Sequence, residues 1–136
     1  GKHTILLALT SNSGAFDFQT LTTQGKPLYQ QVLETSKTWQ NAHRLMYVVG
    51  ATKAECLAEI RKIIPHNFLL VPGVGAQGGS LAEVCKHGLN TEVGLLINSS
   101  RAVIYASNQD DFTQKARAEA LVIQQEMQRI LNQYNL

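Results

Sequence analysis

The run Phe68-Leu69-Leu70-Val71-Pro72-Gly73-Val74-Gly75-Ala76-Gln77-Gly78-Gly79-Ser80 leads an apolar segment straight into a glycine-rich turn and then a helix start. Glycines let a backbone approach a ligand closely and adopt positive φ, and the free N–H groups of a following helix favour negative charge. The chemistry that such a turn supports is anion binding. A second element follows a later apolar run, where Gly94-Leu95-Leu96-Ile97 gives way to Asn98-Ser99-Ser100-Arg101. It supplies hydroxyls, backbone donors and a permanently charged guanidinium at another strand end. If the two strands are neighbours, both tips converge on one phosphate.

Little else in the chain carries chemistry of its own. The histidines His3, His43, His66 and His87 show neither an HExxH pattern nor Cys/His ligand spacing, so no metal is expected. Cys56 and Cys85 each fall within a helical pattern, the usage of a reducing compartment, and read as packing thiols. Lys and Arg are scattered over a chain of net charge +2, which excludes the basic footprint of a nucleic-acid binder. No signal peptide and no apolar run of membrane-spanning length is present, so a soluble, cytoplasmic protein without membrane contacts is expected.

The elements that must position these residues repeat as apolar run, loop and amphipathic segment. Strands are expected at Thr4–Thr10, Leu45–Gly50, Phe68–Val71 and Leu95–Asn98, the first apolar on both faces as in a covered parallel sheet. After a polar loop from Ser11 to Gln24, Pro27 suits a first helical position, with Leu28, Val32, Thr35 and Trp39 forming a stripe. Trp39 and Tyr47 both sit on core patterns. Thr52 with Glu55 reads as a capping box opening a helix that carries Leu57, Ile60, Ile63 and Ile64 as far as Pro65. Ser80 with Glu83 repeats the pattern before a short helix bearing Leu81, Val84 and Cys85, stopped by Gly88. Asp110 or Asp111 caps a last helix with Ala116, Ala120, Ile123, Met127 and Ile130 in period. No linker interrupts the chain, and residues 1–136 read as one unit.

Four successive βα units fit either a doubly wound sheet or half of a (β/α)8 barrel. The anion loops decide for the barrel, where phosphate is commonly held by the loops after the last two strands; a Rossmann cradle would follow the first. The turn after strand one, Ser11 to Asp17, lacks GxGxxG, and no GxxxxGK[ST] occurs, so dinucleotide and ATP sites are disfavoured. Asp17 reads as a loop-structuring or cap carboxylate.

Residues 7–15 (Leu-Ala-Leu-Thr-Ser-Asn-Ser-Gly-Ala), Asp17-Phe18-Gln19, the 71–79 loop and residues 97–106 (Ile-Asn-Ser-Ser-Arg-Ala-Val-Ile-Tyr-Ala) resemble orotidine 5'-phosphate decarboxylase, specifically its longer bacterial-type branch. The resemblance runs the length of the chain. It implies that Gln77 reaches the substrate phosphate, with Gly75, Gly78 and their neighbours giving the backbone room to close. It further implies phosphate contacts from Arg101 and the backbone of Ser100, and a hydrogen bond from Ser11 to the pyrimidine. On the residues alone, Gln77 could be a solvated loop side chain, Arg101 an ion-pair partner, Ser11 a turn residue, and the glycines simple turn formers.

The implied reaction is the cofactor-free conversion of orotidine 5'-monophosphate to uridine 5'-monophosphate. The family's Asp-x-Lys-x-x-Asp motif is absent, so no catalytic residue is expected here. The chain therefore looks like strands five to eight of the barrel, and the resemblance implies a complementary N-terminal half carrying that motif, and a homodimer when complete. A sugar-phosphate decarboxylase or aldolase of similar barrel type, and a non-catalytic phosphate-ligand fragment, are the alternatives.

Overall fold

The computed structural model describes residues 1–75 and 78–136; Ala76 and Gln77 lie outside the described residues. Four parallel strands form the central sheet: β1 (Thr4–Leu9), β4 (Leu45–Val49), β5 (Leu69–Pro72) and β6 (Leu95–Asn98), side by side in that order. Between β1 and β4 the chain makes a one-turn helix α1 (Ala15–Phe18), a small antiparallel ribbon of β2 (Thr22–Thr23) and β3 (Lys26–Pro27), and helix α2 (Leu28–Ser36). Helix α3 (Ala54–Ile63) joins β4 to β5, and α4 (Leu81–Gly88) joins β5 to β6. A short α5 (Arg101–Ile104) and the long α6 (Phe112–Gln133) follow. Strand followed by helix, four times over one parallel sheet, is the architecture of half a (β/α)8 barrel.

The sheet has two unlike faces. Side chains alternate along a strand, and the register places Leu6, Tyr47, Leu69 and Leu95 in one row beneath the helices. Tyr47, Leu69 and Leu95 are buried there with Val49, Val71, Leu33, Leu57, Ile60, Leu81 and Val84. The opposite face carries the row Leu7, Val48, Leu70 and Leu96, beside Ile5 and Met46, and no helix covers it. Ile5, Leu7 and Leu96 remain 49%, 59% and 42% exposed. The expectation that strand one is apolar on both faces thus holds in sequence, whereas only one face is covered.

The four strands and three of the four long helical segments fall within a residue or two of their expected places. Helix α2 departs most: Tyr29, Leu33 and Ser36 are its buried residues, one position round from the expected stripe. The helix ends at Ser36, and Trp39 lies beyond it, half exposed rather than in the core. The reason is a polar residue in a core position. The Ser36 hydroxyl lies 2.9 Å from the Tyr47 hydroxyl and bonds the Leu33 carbonyl at 3.2 Å, which makes its burial affordable in hydrogen bonds.

Two of the expected caps also differ. After β4 the chain takes a 3-10 turn over Ala51–Lys53, so α3 starts at Ala54 with Lys53 at its N-cap and no side-chain cap. Thr52 is thereby removed from the cap, and its hydroxyl is buried without a partner among the described residues. Asp111 does occupy the N-cap of α6, yet its carboxylate accepts from the Ser107 hydroxyl at 2.6 Å and caps no backbone N–H. Ser80 behaves as expected, its side chain accepting from the Glu83 N–H at 3.3 Å.

Candidate functional site

All four parallel strands point their carboxyl ends the same way, so the loops after them share one end of the sheet. The tips of β5 and β6 are neighbours, with Val71 paired to Ile97 and Pro72 to Asn98. Between them opens a cavity of about 240 Å3 lined by Pro72, Gly73, Val74, Asn98, Ser99, Ser100 and Arg101. The two anion-binding elements singled out in the sequence therefore form one site.

Glycine geometry builds the β5 side. Gly73, Gly75 and Gly78 have φ of 94°, 74° and 84°, values that side-chain-bearing residues rarely adopt. The loop folds back on itself through Gly75 N–H to the Gly79 carbonyl (2.9 Å), Gly78 N–H to the Gly75 carbonyl (2.8 Å) and Gly79 N–H to the Gly73 carbonyl (3.2 Å). Gly79 itself is needed for space: a Cβ there would stand 2.4 Å from the Ala51 Cβ and 2.8 Å from the Gly73 carbonyl oxygen. The loop is thus pressed onto the tip of β4 as well as that of β5. Gln77 lies outside the described residues.

On the β6 side, Ser100 donates its hydroxyl to the Asn98 carboxamide oxygen at 3.0 Å and takes the N-cap position of α5. Its side chain is thereby turned to its own loop, which leaves its backbone and that of Arg101 facing the cavity wall. Arg101 opens α5, is exposed, and forms no ion pair among the described residues. A guanidinium without a carboxylate, beside a glycine loop at a strand tip, is suited to a bidentate hold on a phosphate or carboxylate.

Ser11 is not part of this cavity. It follows β1, at the far edge of the same end of the sheet, and packs against the tip of β4, where a Cβ on Gly50 would lie 2.1 Å from its hydroxyl oxygen. That hydroxyl is buried and has no hydrogen-bond partner among the described residues. Its loop is held by Gln19, whose carboxamide accepts from the Thr10 N–H at 2.8 Å and donates to the Thr10 hydroxyl at 3.0 Å. Asp17 sits inside α1, whose N-cap is Gly14, and so is not a cap residue.

Two larger hollows lie elsewhere. One, about 520 Å3 and mainly apolar, runs along the free edge of β6 beneath α6 and includes Leu95, Ile97, Val103, Ile123, Met127 and Leu131. The other, about 400 Å3, is at the amino ends of the strands and brings together His3, His43, His66 and Glu92 above Met46 and Phe68. Among the described residues no cluster of His, Cys, Asp and Glu is arranged to hold a metal ion.

Sequence and fold comparisons agree with this geometry. The chain is 70% identical over 131 residues to the orotidine 5'-phosphate decarboxylase of Flavobacterium johnsoniae, a match covering 96% of this chain and 48% of that protein. It is 54% identical to the Phocaeicola vulgatus enzyme of the same name, over 98% of this chain and 49% of the other. The chain belongs to the orotidine 5'-phosphate decarboxylase family. Among solved structures it resembles the UMP synthase of Leishmania donovani, with TM-score 0.74 and 36% identity over 90% of this chain and 27% of that one. The OMP decarboxylase of the same organism gives TM-score 0.71 at 32% identity, covering 90% and 47%. No family model matches the chain. The chain spans about half the length of the curated decarboxylases it matches, and that half is the C-terminal one.

Proposed function

We propose that this chain is the substrate-gripping half of an orotidine 5'-phosphate decarboxylase, which converts orotidine 5'-monophosphate to uridine 5'-monophosphate and carbon dioxide in pyrimidine biosynthesis. The observation that carries the reading is the shared cavity of the β5 and β6 tips, with Arg101 unpaired beside the glycine loop. A phosphate dianion there meets the guanidinium of Arg101, the backbone donors of Ser100 and the turn around Gly75 and Gly78, with Gln77 reaching from the same loop. The orphaned hydroxyl of Ser11 fits a group whose partner arrives with the ligand, the pyrimidine in this reading.

In decarboxylation the bond from the ring carbon to the carboxylate breaks and its electron pair stays on the ring carbon, which then takes a proton. Nothing among the residues of this site supplies that proton, and the acid-and-lysine array is assigned to the complementary half, in a reaction without cofactor. The contribution of this half is binding energy. Grip on a remote phosphate can be used to close loops and organise the reacting centre, so that it appears in the rate as well as in the affinity. The uncovered sheet face supports the need for the complementary half, the two free cysteines are compatible with a cytoplasmic setting, and the complete enzyme is assigned as a homodimer.

The test is Arg101→Ala in the complete enzyme, assayed on orotidine 5'-monophosphate and on orotidine. Removal of a charge-assisted bidentate contact is expected to cost about 2–4 kcal/mol on the phosphorylated substrate, or roughly 30- to 1,000-fold in kcat/KM, and almost nothing on the nucleoside. Equal losses on both substrates would refute the phosphate role.

A further inference from the structure

The sheet ends in two strands with nothing beside them. β1 pairs only with β4, and β6 pairs only with β5. Soluble proteins protect such edges with charged residues, prolines, bulges directed outward or a covering loop. The edge strands here, Thr4-Ile5-Leu6-Leu7-Ala8-Leu9 and Leu95-Leu96-Ile97-Asn98, hold no charge and no proline. The uncovered face is equally bare: Ile5, Leu7, Met46, Val48, Leu70, Pro72, Leu96 and Asn98 include no charged residue. Both edges and the face between them are made to be paired.

We infer that the 136-residue chain by itself closes an eight-stranded barrel with a second copy of itself, β1 of each copy pairing in parallel with β6 of the other about a two-fold axis along the barrel. Three features favour this occupant. A rotation about that axis keeps all eight strands parallel and all helices outside, which an antiparallel or face-to-face packing of the two sheets would not. The groove along β6 under α6, about 520 Å3 and apolar, lies where an incoming strand would turn its helix-facing side chains, and β1 offers Leu6 and Ala8 on that side. Because the uncovered face has no ionisable group, doubling it brings no like charges together, although each copy carries +2 overall. The row Leu7, Val48, Leu70 and Leu96 then meets its own image, filling the interior as layers of branched side chains. The contact is isologous, so one copy saturates it and assembly stops at two.

Light scattering of the purified chain tests the inference, since one chain weighs 15.0 kDa. A single species of twice that mass, independent of loading at micromolar concentration, is expected, with the backbone amides of β1 and β6 protected from deuterium exchange together. Leu7→Lys and, separately, Leu96→Lys are expected to halve the mass. A folded monomer, a ladder of larger species, or a dimer whose β1 and β6 amides exchange freely would overturn the proposal. So would a chain that pairs only after the complementary half is added. Exchange on the unmodified dimer decides the matter even where a lysine variant fails to fold.

Discussion

Burial sets the behaviour of single residues in this chain more than sequence type does. The Cys85 thiol, enclosed by α4 and α6 with its sulfur 3.5 Å from that of Met127, is pushed up to about 11 by burial, and the nearby Glu126 carboxylate adds to the shift. A thiol is nucleophilic only as thiolate, so Cys85 is expected to resist iodoacetamide at pH 8 in the folded chain and react fully in urea, as peptide mass mapping would show. Labelling at equal rates in both conditions contradicts the buried placement. The sign of the linked stability follows: the folded value lies above the ordinary 9.0, so this contribution is intact below pH 9 and is lost as pH rises from there to about 11. The packing role of both cysteines was legible from their helical spacing. The exposure of Trp39 was not, because the register of α2 is chosen by Ser36 and Tyr47, a hydroxyl pair that hydrophobic periodicity does not register. Arg101 and Ser100 were legible as residues of a strand exit, and the separation of Ser11 from their cavity depends on strand order, which only the sheet supplies.

At the scale of elements, the glycine loop after β5 joins two different demands on its backbone, and substitutions separate them. Alanine at Gly75 meets no atom within 4 Å among the described residues, so its cost is the left-handed conformation alone, about 1–2 kcal/mol. Alanine at Gly79 keeps an ordinary backbone and collides with Ala51 and the Gly73 carbonyl, a collision between rigid groups expected to cost about 1–3 kcal/mol and to shift the loop off the tip of β4. Thermal unfolding of the two variants in the complete enzyme, with and without uridine 5'-monophosphate, distinguishes the causes. Gly79→Ala should lose most of the ligand-induced rise in Tm, and Gly75→Ala should keep more of it; the reverse order would show that loop conformation, and not its seating on β4, governs the cradle. The Ser80 cap that opens α4 was readable from its spacing to Glu83, and the equivalent pattern at Thr52 misled because the 3-10 turn over Ala51–Lys53 intervenes. Seating that turn under Gly79 is a tertiary requirement, invisible to a local rule.

The whole molecule depends on one residue that no motif marks. Arg61, on the last turn of α3, donates Nε to the Gly88 carbonyl at 2.7 Å, Nη1 to the Asn67 carbonyl at 2.7 Å, and Nη2 to the Gly94 carbonyl at 2.9 Å. It thereby ties the end of α4, the entry to β5 and the entry to β6 to one point at the end of the sheet opposite the anion cavity. Burial lowers its pKa to about 10, which leaves it charged throughout the neutral range. In the sequence Arg61 is one more basic residue of an amphipathic helix, because three carbonyls drawn from distant loops leave no trace in local pattern. Hydrogen bonds from a charged donor contribute about 1.5–3 kcal/mol each, and their loss here would strand carbonyls that the fold has partly enclosed. Arg61→Met should therefore lower the stability of the complete enzyme by about 3–5 kcal/mol, as for a broken buried network. Arg61→Lys should recover only part of that, since an ammonium cannot serve three diverging acceptors as a planar fork does. Since the fork lies at the far end of the barrel from Arg101, KM for orotidine 5'-monophosphate is expected to stay within about twofold at temperatures where the variants are folded, by the near-additivity of distant sites. Urea unfolding beside steady-state kinetics decides it: a lysine variant as stable as the parent would show that charge alone matters at position 61, and a raised KM would show that the two ends of the barrel are coupled.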